Sequence, residues 1–218
     1  MDALLHIAHR ANGTLPLDLL AALTLLAVAP FILLMCTSFV RIIIVLSLVR
    51  SAIGTSALPP NALLAGLALV LTLVVMGPTF DQVQRVALVP YSQGKLSASG
   101  FVARATGPLR AFMLRQTHRD DLALFERIAH RRDHVMASVP LTVLLPAYVV
   151  GELRSAFAIG FALYLPFVVI DMSVAAILMG LGMMMLSPSV LSLPVKLLLF
   201  VMVDGWALVC GGVVTSFR

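Results

Sequence analysis

Apolar residues in this chain are gathered into long blocks separated by short polar corners. The block from Leu15 to Val40 has one charge, Asp18, and the pattern resumes past Arg41 as IIIVLSLV. The block from Ala57 to Phe80 has no charge, that from Ser155 to Leu186 has only Asp171, and that from Leu197 to Phe217 has only Asp204. Each exceeds the roughly 18–20 apolar residues needed to cross a bilayer as a helix, so four membrane-type helices are predicted. A shorter uncharged block, Val135 to Gly151, is broken by Pro140 and Pro146 and is expected to form a partial or re-entrant helix.

Between the second and third long blocks the pattern changes. The segment 81–139 is dense in Lys, Arg, Asp and Glu and holds most of the charged side chains of the chain. In PLRAFMLRQTHRDDLALFERIAHRRD the apolar positions Phe112, Leu122, Phe125 and Ile128 are spaced by charges, which predicts amphipathic helices that dock on each other or on a partner. The expected fold is therefore all-α, with two long hydrophobic helical hairpins flanking a polar helical middle domain. The expected divisions are an N-terminal segment with the first hydrophobic helix over 1–56, a second hydrophobic helix over 57–80, the polar domain over 81–139, and a C-terminal helical hairpin over 140–218.

The hairpin corners SAIGTSALPPN (51–61) and LSPSVLSLPVK (186–196) are rich in Ser, Pro and Gly. Arg41, Arg50 and Lys196 lie near them, which by the positive-inside rule puts the corners in the cytoplasm and the termini and middle domain on the periplasmic side. The middle domain's own basic residues argue the other way, but its length is at the limit where that rule stops applying.

Composition supports the membrane class. Of 218 residues, 61% are hydrophobic and 11% charged, with mean hydropathy +1.05, whereas soluble domains carry about 25% charged residues. The net charge of +5 forms no long basic run, so anionic headgroups or acidic neighbours fit better than nucleic acid. Cys36 and Cys210 both lie in apolar sequence and read as small hydrophobes, not as a disulfide or metal pair. The opening residues, MDALLHIAHRANGTLP, are expected to carry no cleavable signal, because no compact basic stretch precedes a short apolar core and cleavage site.

Arg41, Glu152, Arg154, Asp171 and Asp204 interrupt apolar sequence. A charge at mid-bilayer costs at least about 2.5–3.5 kcal/mol, so such residues usually face protein or water. Arg154 is close to Glu152 in sequence but points to another helix face, which leaves the partner of Glu152 open, a neighbouring subunit included. Asp171 and Asp204 on two helices suggest an intramembrane aspartyl pair, but the usual Gly-x-Gly-Asp run is missing from VVIDMSV and MVDGWAL, and buried pairing is the expected role. His130 and His134 are spaced to share a helix face, yet HRRDH offers no third ligand and its basic neighbours disfavour a cation. No phosphate loop or nucleophile triad is present in the sequence, and no cofactor is expected. GLGMMMLSPS (180–189) is the remaining oddity, because three consecutive methionines cannot share one buried helix face. On the residues alone, gap-filling in a helix core accounts for such a run.

Four strings, TSFVRIIIVLSLVRSAIGTSALPPNALLAGLAL (37–69), FMLRQTHRDDLALF (112–125), LPAYVVGELRSAFAIGF (145–161) and IDMSVAAILMGLGMMMLSPSVLSLPVKLLLFVMVDGW (170–206), resemble the FliP/SctR family of export-gate proteins. FMLRQT and the closing VVTSF look like the flagellar branch; many of its members begin with a cleavable signal. The resemblance implies a channel-forming subunit of the flagellar type III export gate in the bacterial inner membrane and basal body, passing unfolded flagellar proteins. Five copies would form a helical ring with FliQ- and FliR-type subunits, next to the large gate subunits FlhB and FlhA, sitting largely above the membrane plane. It assigns Met183, Met184 and Met185 to a gasket around the closed pore, and Phe112, Phe125 and Glu152 to subunit packing. Arg41, Arg154, Asp171, Lys196 and Asp204, as charges in or beside apolar sequence, are expected to be buried and to support assembly. Rival readings are a virulence injectisome subunit, an intramembrane aspartyl protease, and a small-solute transporter, the last disfavoured because no inverted repeat is evident.

Overall fold

A computed structural model describes residues 15–55, 58–130, 139–183 and 185–217. Two compact units make up the chain, Met1–Met35 and Cys36–Arg218. In the first, α1 spans Leu15–Met35 and passes through Pro30, with Leu20 and Phe31 exposed.

In the second unit every regular element among the described residues is helical. The elements are α2 (Phe39–Ile53), α3 (Asn61–Val83), α4 (Val89–Ser92), α5 (Ala98–Gln116), α6 (Arg119–Ile128), α7 (Leu141–Gly180), α8 (Pro188–Met202) and α9 (Gly205–Thr215). The first apolar block is thus divided by a turn at residues 36–38, before α2 begins. Gly54 closes α2 in a left-handed conformation, φ 88°, with its N–H on the Ser51 carbonyl and Arg50 in the last turn.

The second apolar helix does not stop where the charges begin. A π-helical turn, Gln84–Leu88, carries α3 into α4, so helix persists from Asn61 to Ser92. Pro90 lacks an N–H, and widening the turn just before it removes the demand for that bond. The polar segment then folds back as α5, whose Ser97 side chain accepts from the Gly100 N–H, and as α6, with Asp120 and Asp121 in its first turn and Arg127 in its last. Of the apolar positions that marked these helices, Phe112 and Leu122 are buried, Phe125 is half-buried, and Ile128 is 61% exposed.

The largest departure from expectation is α7. Residues 141–151 of the proline-broken block and 155–180 of the next lie in one helix of 40 residues that runs through Pro146 and Pro166. At 1.5 Å per residue it is about 60 Å long, twice a bilayer's hydrocarbon core. Prolines are tolerated inside apolar helices when neighbouring helices pack across the missing bond. Between the two prolines α7 packs along α2. Thr37 meets Tyr148, Arg41 meets Glu152, and Leu48 meets Gly160, so the two helices run in the same direction at constant register. At Gly160 a β-carbon would overlap Leu48 Cδ1 and lie 3.1 Å from Leu48 Cβ, so the small residue sets the closeness of the seam.

The last apolar block is also divided. A bend of 65° separates α8 from α9. Asp204 sits in it with φ 50°, and a β-carbon on Gly205 would overlap the Phe200 ring, so the bend needs glycine there. Two apolar clusters result. One joins α2, α3, α7, α8 and α9 through Ile42, Leu46, Leu64, Phe167, Phe200 and Val213. The other lies under the polar helices, around Met76, Phe112, Met113, Leu144 and Tyr148.

Candidate functional site

Met183 and Met185 do not lie in a helix. Past Gly180 the chain turns through Gly182, φ 76°, with the Gly182 N–H on the Met179 carbonyl and the Met183 N–H on the Leu178 carbonyl at 2.9 Å. This pair of bonds caps α7 and requires a left-handed residue at 182, which glycine adopts without strain. Pro188 opens α8 at its first turn, where a missing N–H is harmless. Met183 is 43% exposed and Met185 fully so, and Leu181 and Leu186 on either side are exposed too. Met184 lies outside the described residues. Gap-filling in a helix core is thereby excluded for Met185.

A polar clamp holds the two helices that flank this loop. Lys196 of α8 reaches Asp171 Oδ2 of α7 at 2.6 Å, and the Ser192 hydroxyl donates to Asp171 Oδ1 at 2.6 Å. Lys196 also donates to the Ala52 carbonyl at 3.2 Å, at the C-terminal end of α2, where the helix dipole favours a cation. Lys196 is buried and Asp171 half-buried.

Arg41 is the centre of a second polar group. Its Nε and Nη2 donate to the two Glu152 oxygens at 2.8 and 2.6 Å, a bidentate arrangement. Its Nη1 donates to the Ser216 carbonyl at 2.9 Å and hydroxyl at 3.1 Å, and its guanidinium carbon lies 3.9 Å from the Phe217 ring centroid. Gln116 accepts from Arg41 Nη2 at 3.5 Å and donates to the Phe217 carbonyl at 3.2 Å. Arg41 is 4% exposed and Glu152 0%. Four segments thus converge on one charge: α2, α7, the end of α5 and the chain's C-terminal turn. The sequence left the partner of Glu152 open, another subunit included; the structure supplies Arg41 of the same chain.

Arg154 points to another face of α7, where its Nη2 lies 2.6 Å from Asp121 Oδ1, with His118 Nδ1 3.9 Å from Asp121 Oδ2. Asp121 is buried, but the Arg154 side chain is 56% exposed, so Arg154 is not a buried charge in the single chain. Nor is Asp204, which is exposed at the α8–α9 bend. Phe112 is 3% exposed, with its ring 6.1 Å from Tyr148 and 6.4 Å from Phe217, so in this chain it packs inward and not outward toward a neighbour. Phe125 is half-buried on the edge of the same cluster.

An aspartyl dyad is not formed. Both oxygens of Asp171 are held by Lys196 and Ser192, while Asp204 lines a different cavity. His130 is exposed with φ 52°, His134 lies outside the described residues, and no group of three metal-ligating side chains occurs among the described residues. Sequence reasoning missed Ser192, Gln116, Asp121 and Ser216. Of these, only Asp121 carried a local signal, an acid in the first turn of an amphipathic helix.

A family model described as the FliP family matches residues 22–213. The chain is 51% identical over 207 residues to "Flagellar biosynthetic protein FliP" of Pectobacterium carotovorum subsp. carotovorum, covering 94% of this chain and 80% of that protein. To the protein of the same name from Bacillus subtilis (strain 168) it is 45% identical over 207 residues, 94% of each. To that from Caulobacter vibrioides it is 48% identical over 202 residues, 92% of this chain and 76% of the relative.

Proposed function

The chain belongs to the FliP family, and on that premise we propose that it is the channel-forming core subunit of a flagellar type III protein export gate. It passes unfolded flagellar proteins across the bacterial inner membrane, within the basal body. Five copies associate with FliQ- and FliR-type subunits in a helical ring, beside FlhB and FlhA, with the polar segment 81–139 facing the periplasm. The relatives carry flagellar names, which favours this over an injectisome role.

The observation that carries the proposal is the loop at 181–187. A glycine-capped helix end presents Met183 and Met185 to open space, whereas apolar side chains of a monomeric protein are ordinarily withdrawn. Methionine has three rotatable bonds and no branch, so a ring of these loops packs onto itself when no cargo is present and re-packs around chains of varied shape. Exposed apolar side chains along α3, α7 and α8, such as Leu73, Phe161, Val169 and Val201, supply further surface for neighbouring subunits and lipid. The work asked of the chain is sealing and guiding, with no covalent step.

The test is Met183→Ala, Met184→Ala and Met185→Ala combined. The variant complex assembles normally, and cells carrying it leak small ions and metabolites and grow slowly. Failed assembly returns the methionines to a packing role, since Met→Ala at a packed site costs about 2–5 kcal/mol. An assembled complex that does not leak removes the gasket.

A further inference from the structure

Two breaks interrupt the hairpin that carries the methionine loop, and each lies about 20 Å from the loop at 1.5 Å per residue. On α7 the break is Pro166, which has no N–H to give the Ala162 carbonyl, so the helix bends most easily there. On the other arm it is the 65° bend from α8 into α9, where Asp204 takes φ 50° and Gly205 fits against the Phe200 ring. The two breaks are neighbours in space. Pro166, Val203 and Gly205 line one apolar cavity of about 330 Å³, together with Val49 of α2 and Leu208 of α9.

Between these breaks and the loop the two arms are fastened to each other. Lys196 and Ser192 of α8 each hold one oxygen of Asp171 on α7 at 2.6 Å. Before Pro166 the attachment is different, because there α7 is locked to α2 by the Arg41–Glu152 pair and by Leu48 against Gly160. The hairpin thus consists of an anchored base and a clamped end, and the joints between them border a shared void.

We propose that the clamped end, α7 after Pro166 together with α8, turns as one lever about Pro166 and the Val203–Gly205 bend, and that this turn opens the gate to a cargo chain. Close-packed interiors resist bending because atoms have to be displaced, and a cavity at both joints lowers that resistance. A rigid-body turn of about 15° on a lever of about 20 Å moves the loop by about 5 Å. The Lys196 bond to the Ala52 carbonyl, at 3.2 Å, joins the lever to the end of α2 and is broken when it turns. The inference rests on the export-gate reading but not on which side chains seal the pore.

The test uses the complex purified with its partner subunits, in a background of Cys36→Ala and Cys210→Ala, with a spin label on Val190→Cys. Val190 is exposed in the first turn of α8. Electron paramagnetic resonance reads the distances between labels on neighbouring copies, with and without a cargo chain stalled in the pore. Cargo shifts these distances by about 5 Å or more, whereas labels on Leu73→Cys of α3 stay in place. Pro166→Ala restores the N–H at an exposed position; it cuts the shift to under about half and slows export, with recovery of the complex unchanged. Leu208→Trp fills the cavity from its exposed rim and has the same effect; if that variant fails to assemble, Pro166→Ala decides. Absence of a shift at position 190 overturns the proposal, as does an equal shift in Pro166→Ala. A shift at position 73 as large as that at 190 overturns it too, because the whole subunit then moves. A triple alanine variant of the methionines that does not leak removes the gasket alone, and the label distances still decide the lever.

Discussion

Removing the Glu152 carboxylate strands the Arg41 guanidinium where water does not reach. Both residues are under 5% exposed, and Glu152 takes two of the guanidinium's hydrogen bonds at 2.6 and 2.8 Å. In Glu152→Ala the Ser216 carbonyl and the Phe217 ring remain, but neither neutralises a full charge. Breaking one side of a buried pair costs about 3–5 kcal/mol, out of the roughly 5–15 kcal/mol by which domains are stable. At about 2–4 °C per kcal/mol for a chain of this size, the unfolding midpoint falls by about 6–20 °C. Glu152→Gln keeps the shape and one acceptor and falls less. Replacing both partners, Arg41→Met with Glu152→Met, removes the buried charge itself, so the double variant is less destabilised than the sum of the singles. Thermal unfolding in detergent, followed by tryptophan fluorescence at Trp206 and by recovery of the complex, measures the cycle. Additive losses in the double variant, or a shift under about 2 °C for Glu152→Ala, would refute the assignment of Arg41 as its essential partner.

Two further outcomes follow from packing. Gly160→Ala forces Leu48 to move and costs about 1–3 kcal/mol, and Leu48→Ala in the same chain recovers part of the loss; unchanged stability in Gly160→Ala means that the seam is looser than its geometry indicates. Phe112→Ala destabilises the subunit itself by about 3–5 kcal/mol, read as a lower unfolding temperature before any effect on assembly. Phe125→Ala, at a half-buried edge, is expected to lower the oligomer fraction in native gels with a smaller change in subunit stability, and equal losses of stability from the two would remove that distinction.

The helical class, the apolar segments and the family were legible in the sequence because each is a local or linear property. A run of leucine and alanine is helical and lipid-compatible wherever it ends up, and strings such as VVGELRSAF and GMMMLSPS keep their identity without reference to neighbours. The presence of charges in apolar sequence was equally plain. Their partners were not, because Arg41 and Glu152 are brought together across 111 positions by the parallel packing of α2 on α7. Proline carries a helix-breaking penalty when judged locally, yet α7 passes through Pro146 and Pro166, and its packing along α2 lies between them. Asp204 reads as a buried charge from its sequence neighbours, but the bend at Gly205 turns it outward. Length and apolarity follow from the chain itself; register, bends and the pairing of charges depend on which surfaces fit closely enough to exclude water, and only the folded helices decide that.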